Sequence, residues 1–428
     1  MSSIVIEGQA KIQGTVTPLP NKNSILKLIP ASILIDGKVL IKNVPNSSSV
    51  KIMLEIFKRL GGQVQYVDSN VIELDSSQIS DFCIDEELSI KERSSFLFIG
   101  PLLQKFKEAR ITDGGGCKLG NRPIDTMFLG LSLLGVEIDI QDKYILKAKN
   151  GLLGNNIWLL ESSVTGTENL VLASVKAKGK TTIYNAACEP HTQDLCNFLV
   201  KAGAKINGIG TNKLEIEGVD KLNPVEWEVI PDHIDIGCLI VSALITGGEI
   251  KILNAIPNHM TQIINNFKKF NAEIIIDGNN IIVPADQKLV AKKNLKGDID
   301  KIVDQPWPGF PTDLIPQSLI LALSSEGIMR IYSNMYETQL IELYNELLKM
   351  NAKMIMTSPH QIITLQKNRL KGTKVNATSV LQSTHALFLA GLIAEGTTII
   401  ENADIIFRRF PDIITTYNKL GAKVSKIS

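Results

Sequence analysis

The sequence predicts an α/β fold made of six copies of one unit, and three recurring features predict it. The first is a turn. Six amphipathic stretches end in a small residue and run straight into a β-like segment: Leu60-Gly-Gly-Gln-Val, Leu134-Gly-Val-Glu-Ile, Ala202-Gly-Ala-Lys-Ile, Phe270-Asn-Ala-Glu-Ile, Met350-Asn-Ala-Lys-Met and Leu420-Gly-Ala-Lys-Val. The turn residues are Gly61, Gly135, Gly203, Asn271, Asn351 and Gly421, at intervals of 74, 68, 68, 80 and 70 residues. Glycine and asparagine tolerate the left-handed conformation that closes a helix, and such regular spacing marks a repeat. The second feature is a short β-like run before each turn: Lys38-Val-Leu-Ile, Ala109-Arg-Ile-Thr, Lys180-Thr-Thr-Ile, Glu249-Ile-Lys-Ile, Ile328-Met-Arg-Ile and Thr397-Thr-Ile-Ile. The third is an apolar helical stretch ahead of that run, such as Ile234–Ile245 or Leu381–Ala394.

Taken in order, each unit reads helix, strand, helix, strand, strand, an alternation that defines the α/β class. One or two strands follow each turn, as in Ala272–Ile276 and Ile281–Val283. The sixth unit stops after Lys423-Val-Ser-Lys-Ile, one strand short. The segment Ser3-Ile-Val-Ile-Glu-Gly resembles Lys213-Leu-Glu-Ile-Glu-Gly, the last strand of the third unit. The amino terminus is therefore expected to complete the sixth unit. Three units then make a domain over residues 21–230, and three more, with residues 1–20, make a second over 231–428. The chain crosses between them near Pro18-Leu-Pro-Asn21 and Val229-Ile-Pro-Asp232. A double crossing is expected to act as a hinge, and a hinged cleft is a usual place for a ligand.

Composition removes several function classes. The 45 basic and 44 acidic residues leave a formal net charge of +1, which argues against a nucleic-acid binder working by bulk charge. At 44% hydrophobic residues there is material for real cores. The five cysteines form no CxxC, so a reducing compartment is expected. No signal peptide is visible at the amino terminus. The apolar run near Ile236–Thr246 is shorter than the roughly 20 residues that span a bilayer. A cytoplasmic protein without membrane association is the expectation. The histidines have no metal spacing, and neither HExxH, GxGxxG nor GxxxxGK[ST] occurs. Cys188 and Cys196 flank His191 without zinc-finger spacing.

The densest anomaly is Thr112-Asp-Gly-Gly-Gly-Cys117-Lys-Leu-Gly-Asn-Arg122-Pro123-Ile-Asp125. Three glycines permit close backbone approach, and the adjacent Lys118 and nearby Arg122 favour the thiolate of Cys117. Pro20-Asn-Lys22-Asn23-Ser24 stands just before an apolar helix. A lysine at a helix start opposes the dipole unless it meets an anion there. Arg93 begins the helix of the second unit, and Arg408-Arg409 sits in the loop before the last helix. These basic loci could converge on one multiply charged anion. Asp313, in Pro308-Gly-Phe-Pro-Thr-Asp, opens a helix, where an aspartate serves either as a cap or as an acid or base.

Together these motifs, with Ser163-Val164-Thr-Gly-Thr-Glu-Asn169, Asn185-Ala-Ala-Cys-Glu-Pro190 and Ala394-Glu-Gly-Thr-Thr398, resemble the UDP-N-acetylglucosamine 1-carboxyvinyltransferases. These are the enolpyruvyl transferases of early peptidoglycan synthesis, and the resemblance runs the length of the chain. It implies two inside-out α/β barrel domains, each of three βαβαββ repeats. It implies transfer of the enolpyruvyl group of phosphoenolpyruvate to a sugar hydroxyl with release of phosphate, and no metal or organic cofactor. By motif match, Lys22, Arg93 and Arg122 would hold phosphoenolpyruvate, and Arg408 would be the arginine of the last loop. Cys117 would act in proton transfer or product release and be the target of fosfomycin. Asp313 would take the proton of the attacking hydroxyl. Asn23, Pro123, Asp125, Ser163 and Val164 would face the nucleotide sugar.

The chain departs from that pattern in places. Two arginines of the family read Gln339 and Gln382, an aspartate reads Val380, and a lysine near the diphosphate reads Glu161, followed by Thr165 for glycine. An Asp-Arg pair reads Asp232-His233. Glutamine carries no charge and cannot stand in for a bidentate guanidinium. The alternatives are therefore a divergent enolpyruvyl transferase with another nucleotide or sugar acceptor, or a non-catalytic ligand-binding paralogue.

Overall fold

The six turn residues all adopt positive φ, with values of 105°, 93°, 111°, 60°, 65° and 102° at Gly61, Gly135, Gly203, Asn271, Asn351 and Gly421. Only glycine and asparagine reach that region cheaply, so each site closes a helix and turns the chain into a strand. The computed structural model describes residues 2–112, 124–336 and 338–427. Cys117, Arg122 and Pro123 lie outside the described residues.

The chain divides into two compact units, one built on residues 20–230 and the other on residues 1–19 with 231–428. In the first, the helices Lys22–Ala31 and Val164–Ser174 are buried almost throughout. Ile99–Phe106 is buried over its first five residues. Apolar helices of this kind belong in a core. The amphipathic helices Ser48–Arg59 and Pro190–Lys201 each keep one face exposed. Three open sheets surround the helices. The strand Lys38–Lys42 lies between a parallel partner, Val225–Glu228, and an antiparallel one, Val71–Asp75. Lys180–Tyr184 has the same setting, parallel to Asn156–Trp158 and antiparallel to Lys213–Glu217. The third sheet has three strands, Glu108–Ile111, Tyr144–Lys147 and Glu137–Ile140, and the parallel position is reduced to the bridge Cys83 to Arg110.

The second unit repeats the plan. His233–Thr246, Ile315–Ser324 and Leu381–Ile393 form its buried helices. Ile250–Ile252 and Arg330–Tyr332 each pair with one parallel and one antiparallel neighbour. Ser3–Glu7 lies antiparallel between Thr397–Glu401 and Lys423–Ile427, which supplies the strand the sixth repeat lacks. Ile4 and Ile6 point into the core and Glu7 is exposed, the alternation of a strand with one wet face. In each unit the apolar helices are buried in the core, and strands such as Lys38–Lys42 and Thr397–Glu401 bury only one face. No sheet closes on itself among the described residues, so the architecture is three open sheets around helices rather than a hydrogen-bonded barrel.

The two related Glu-Gly segments end in the same packing. A Cβ on Gly8 would meet the carbonyl oxygen of Ala394 at 1.8 Å, and one on Gly218 that of Ala177 at 1.7 Å. In both cases a strand leaves its sheet against the end of a buried helix, leaving no room for a methyl group. Gly218→Ala should therefore cost about 1–3 kcal/mol through forced backbone shift. Urea unfolding at unchanged m-value measures this, and an unaltered midpoint would contradict the close approach.

Candidate active site

In the unit built on 20–230, the expected residues gather at helix starts. Lys22 is the first residue of Lys22–Ala31 and Asn23 the second, with Asn21 as cap accepting from the Ser24 N–H at 3.1 Å. Arg93 opens a short 3-10 turn, Arg93–Phe98, rather than an α-helix, and Glu92 caps it by accepting from the Ser94 N–H at 3.2 Å and its hydroxyl at 3.0 Å. Burial pushes the Glu92 carboxyl up, but the charge of Lys22 and the Ser94 hydrogen bonds override that, and it stays below its ordinary range. Lys22 therefore lies in an electrostatic setting shared with Glu92, beside Arg93.

Asp125, Ser163 and Val164 form a second group. Asp125 is exposed at the start of Asp125–Leu133. Ser163 caps Val164–Ser174, accepting from the Gly166 N–H at 3.2 Å. The Thr126 hydroxyl accepts from the Leu160 N–H at 3.0 Å, which ties the segment before Ser163 to the helix that Asp125 opens. Two helix amino termini thus lie side by side, an arrangement suited to an anionic ligand. Glu161 is exposed on the same segment, and its carbonyl accepts from the Ser163 N–H at 2.8 Å.

The helix that Lys22 begins carries one member of a buried cluster that sequence reasoning missed. Lys27 donates to Glu168 Oε1 and to His191 Nδ1, each at 3.1 Å, and the Thr192 hydroxyl donates to the same carboxylate oxygen at 2.8 Å. The side chains of Lys27 and Glu168 are 6% and 1% exposed, so the charges are desolvated. Burial alone would raise the Glu168 carboxyl, yet Lys27 and His191 keep it below its ordinary range. Ser24 donates to Asp194, whose other oxygen accepts from the Trp227 indole at 3.2 Å, and burial raises this carboxyl to about 7. One sequence signal was available: Lys27 interrupts the apolar run Ile25-Leu-Lys-Leu-Ile29.

In the other unit, Asp313 lies in the 3-10 turn Thr312–Leu314, which leads into Ile315–Ser324. Arg409 Nη1 donates to its Oδ2 at 3.0 Å. The same guanidinium forms a bidentate pair with Asp232, from Nη2 at 2.9 and 2.7 Å and from Nε at 3.2 Å. Asp232 also caps His233–Thr246, accepting from the Ile234 N–H at 2.9 Å. Burial would weaken the proton on Arg409, but the two aspartates outweigh it, and the guanidinium stays charged. Asp235, on the same helix, is buried and accepts from the Leu19 N–H at 2.8 Å; its carboxyl is raised to about 7. Arg408 ends the turn Ala403–Arg408 and is only half-buried.

The two glutamines are interior. Gln339 is 1% exposed and held at both ends of its amide: Nε2 donates to the Thr312 carbonyl at 3.0 Å, and Oε1 accepts from Thr312 at 3.1 Å and Ser333 at 2.9 Å. Gln382 is 5% exposed, and its carbonyl accepts from Gln317 Nε2 at 3.1 Å. Val380 is buried as the residue before Leu381–Ile393. His385 is driven down to about 3 by burial and then by the charge of Arg409, so it is neutral. Among the described residues no group of His, Cys, Asp and Glu could hold a metal, and no helix is long and apolar enough to cross a membrane.

A sequence profile of the EPSP synthase (3-phosphoshikimate 1-carboxyvinyltransferase) family matches residues 6–417. The UDP-N-acetylglucosamine 1-carboxyvinyltransferase of Borreliella burgdorferi is 36% identical over 427 residues, covering 100% of this chain and 99% of that protein. The protein of the same name from Bradyrhizobium diazoefficiens is 35% identical over 423 residues, covering 99% and 97%. Among solved structures, the enolpyruvyl transferase NikO from Streptomyces tendae matches with a TM-score of 0.87 over 99% of this chain and 98% of that one. At 18% identity that likeness shows the fold alone. With a profile match over nearly the whole chain and relatives aligned end to end, the chain belongs to the EPSP synthase family of 1-carboxyvinyl transferases.

Proposed function

We propose that the protein transfers the enolpyruvyl group of phosphoenolpyruvate to a hydroxyl of UDP-N-acetylglucosamine and releases phosphate, a step of peptidoglycan synthesis in the cytoplasm. The observation that carries this reading is end-to-end similarity, at 35–38% identity, to relatives that all bear the name of this activity. In the reaction the acceptor oxygen adds to C2 of phosphoenolpyruvate while C3 takes a proton. The resulting tetrahedral ketal then loses phosphate from C2 and the proton from C3, restoring the double bond. Asp313 accepts the proton of the attacking hydroxyl. Lys22, Arg93 and Arg122 hold the phosphate and carboxylate, and fixed cations of this kind stabilise the leaving phosphate. Arg408 adds a charge from the last loop, and Cys117 moves the C3 proton or aids release. Asn23, Pro123, Asp125, Ser163 and Val164 face the nucleotide sugar.

Phosphate release from phosphoenolpyruvate, dependent on UDP-N-acetylglucosamine, is the direct test. One observation favours a second acceptor. Glu161 places an exposed carboxylate on the segment that leads into Ser163, where it would repel a diphosphate. A panel of other UDP-sugars and nucleotides decides between the two, since brisk turnover of another member with none of UDP-N-acetylglucosamine would replace the first acceptor.

The thiols give an independent check. Burial pushes Cys188 up to about 11 and Cys196 up to about 12, and it holds Cys238 well above the ordinary thiol range. At neutral pH these three are protonated and poor nucleophiles. Fosfomycin with the acceptor should modify Cys117, whose neighbours Lys118 and Arg122 favour the thiolate, as read by peptide mass mapping. An adduct on Cys83, Cys188, Cys196 or Cys238 with Cys117 untouched would overturn the assignment.

A further inference from the structure

The reading of Asp313 as the base leaves open how its carboxylate is kept in one orientation. We propose that Arg409 is a positioning residue for the reaction: it locks Oδ2 of Asp313 and leaves Oδ1 for the acceptor hydroxyl. The inference rests on the transfer reading above.

Three observations carry it. Arg409 has one donor on Asp313, at 3.0 Å, and its other contacts are spent on Asp232. Its side chain is 6% exposed and that of Asp232 2%, whereas that of Asp313 is 29% exposed. The pair is thus an interior anchor, and Asp313 is the end that reaches solvent. Among the described residues Oδ1 of Asp313 accepts no hydrogen bond. Secondly, Asp232 is itself fixed as the cap of His233–Thr246, so the anchor is tied to a helix buried along most of its length. Thirdly, the backbone beneath Asp313 is held from another side. Gln339 grips both the carbonyl and the hydroxyl of Thr312 and is itself held by Ser333. A planar guanidinium that spans two carboxylates defines the direction of each, which a lysine ammonium cannot do.

The test compares Arg409→Lys, Arg409→Gln with Asp232→Asn in one protein, and Asp313→Asn, all in the full-length chain. The paired neutral change removes both interior charges together, which avoids stranding Asp232. Both Arg409 proteins should melt within a few degrees of the parent. In each, kcat should fall ~10–100-fold, the scale of a misplaced reacting group, with KM for both substrates nearly unchanged. Arg409→Lys should lose the least. A melting temperature near the parent with parental kcat in either protein would show Arg409 to be structural only, and so would a loss confined to KM. A parent that releases no phosphate with any acceptor overturns the transfer reading and this inference together. An active parent with an unimpaired paired variant overturns this inference alone.

Discussion

Asp313→Asn should lower kcat by about 10²–10⁴-fold, the usual contribution of a positioned general base, while KM for phosphoenolpyruvate and the acceptor changes little. The amide keeps the shape and can still accept from Arg409 Nη1, so the hydrogen bond now formed at 3.0 Å need not break. What it loses is the ability to take a proton. Single-turnover phosphate release separates the chemical step from product release. If the variant keeps more than about a tenth of parental kcat, Asp313 is not the base, and its place beside Arg409 is structural. A fall in thermal stability large enough to explain the loss would also count against a catalytic role, because 29% of the Asp313 side chain is exposed and little packing depends on it.

The largest stability effect should come from the other unit. Lys27→Met leaves the Glu168 carboxylate buried without its lysine, and removing one member of a buried ion pair costs about 3–5 kcal/mol. His191 Nδ1 lies 3.3 Å from that carboxylate, and the Thr192 hydroxyl donates to it at 2.8 Å, so these partners stay in place in the variant. Combining Lys27→Met with Glu168→Leu deletes both charges and should recover most of the loss, because an apolar pair fills a buried site without desolvation. Denaturant unfolding of the singles and the double forms a cycle with a large coupling term. A double variant no more stable than Lys27→Met would mean that packing, not charge, sets the cost. Because Lys27 lies on the helix that Lys22 begins, the single variant should also raise KM for phosphoenolpyruvate. A rise in KM that disappears in the double would connect the two clusters.

The repeat was legible in the sequence because its markers are local. A helix closed by a left-handed residue needs glycine or asparagine at that position, and the six such positions all have positive φ. Each β-like run before a turn contains a strand, and the strand spared at the amino terminus pairs with Thr397–Glu401 and Lys423–Ile427. The apolar stretches Ile234–Ile245 and Leu381–Ala394 were legible from composition, and both lie in buried helices. Lys22, Arg93 and Asp313 were legible as starts of helices or turns for the same local reason.

What joins them was not legible. Asp232 and Arg409 are 177 positions apart, and Asp313 and Arg409 are 96. Arg408 and Arg409 are adjacent and chemically identical, and nothing local to the pair says which one turns inward. Only the tertiary structure decides it: Arg409 is buried between the carboxylates of Asp232 and Asp313, and Arg408 is half-buried. The glutamines make the same point. In sequence, Gln339 reads as a missing charge. In the folded chain it is a structural tie, because both ends of its amide grip the Thr312 turn. The sequence by itself determined the repeat, the class of fold and the residue types at each helix start, all of which depend on φ preference and hydrophobic period. Only the tertiary structure decided which charges meet, because pairing depends on burial, and burial arises where distant segments exclude water from one another.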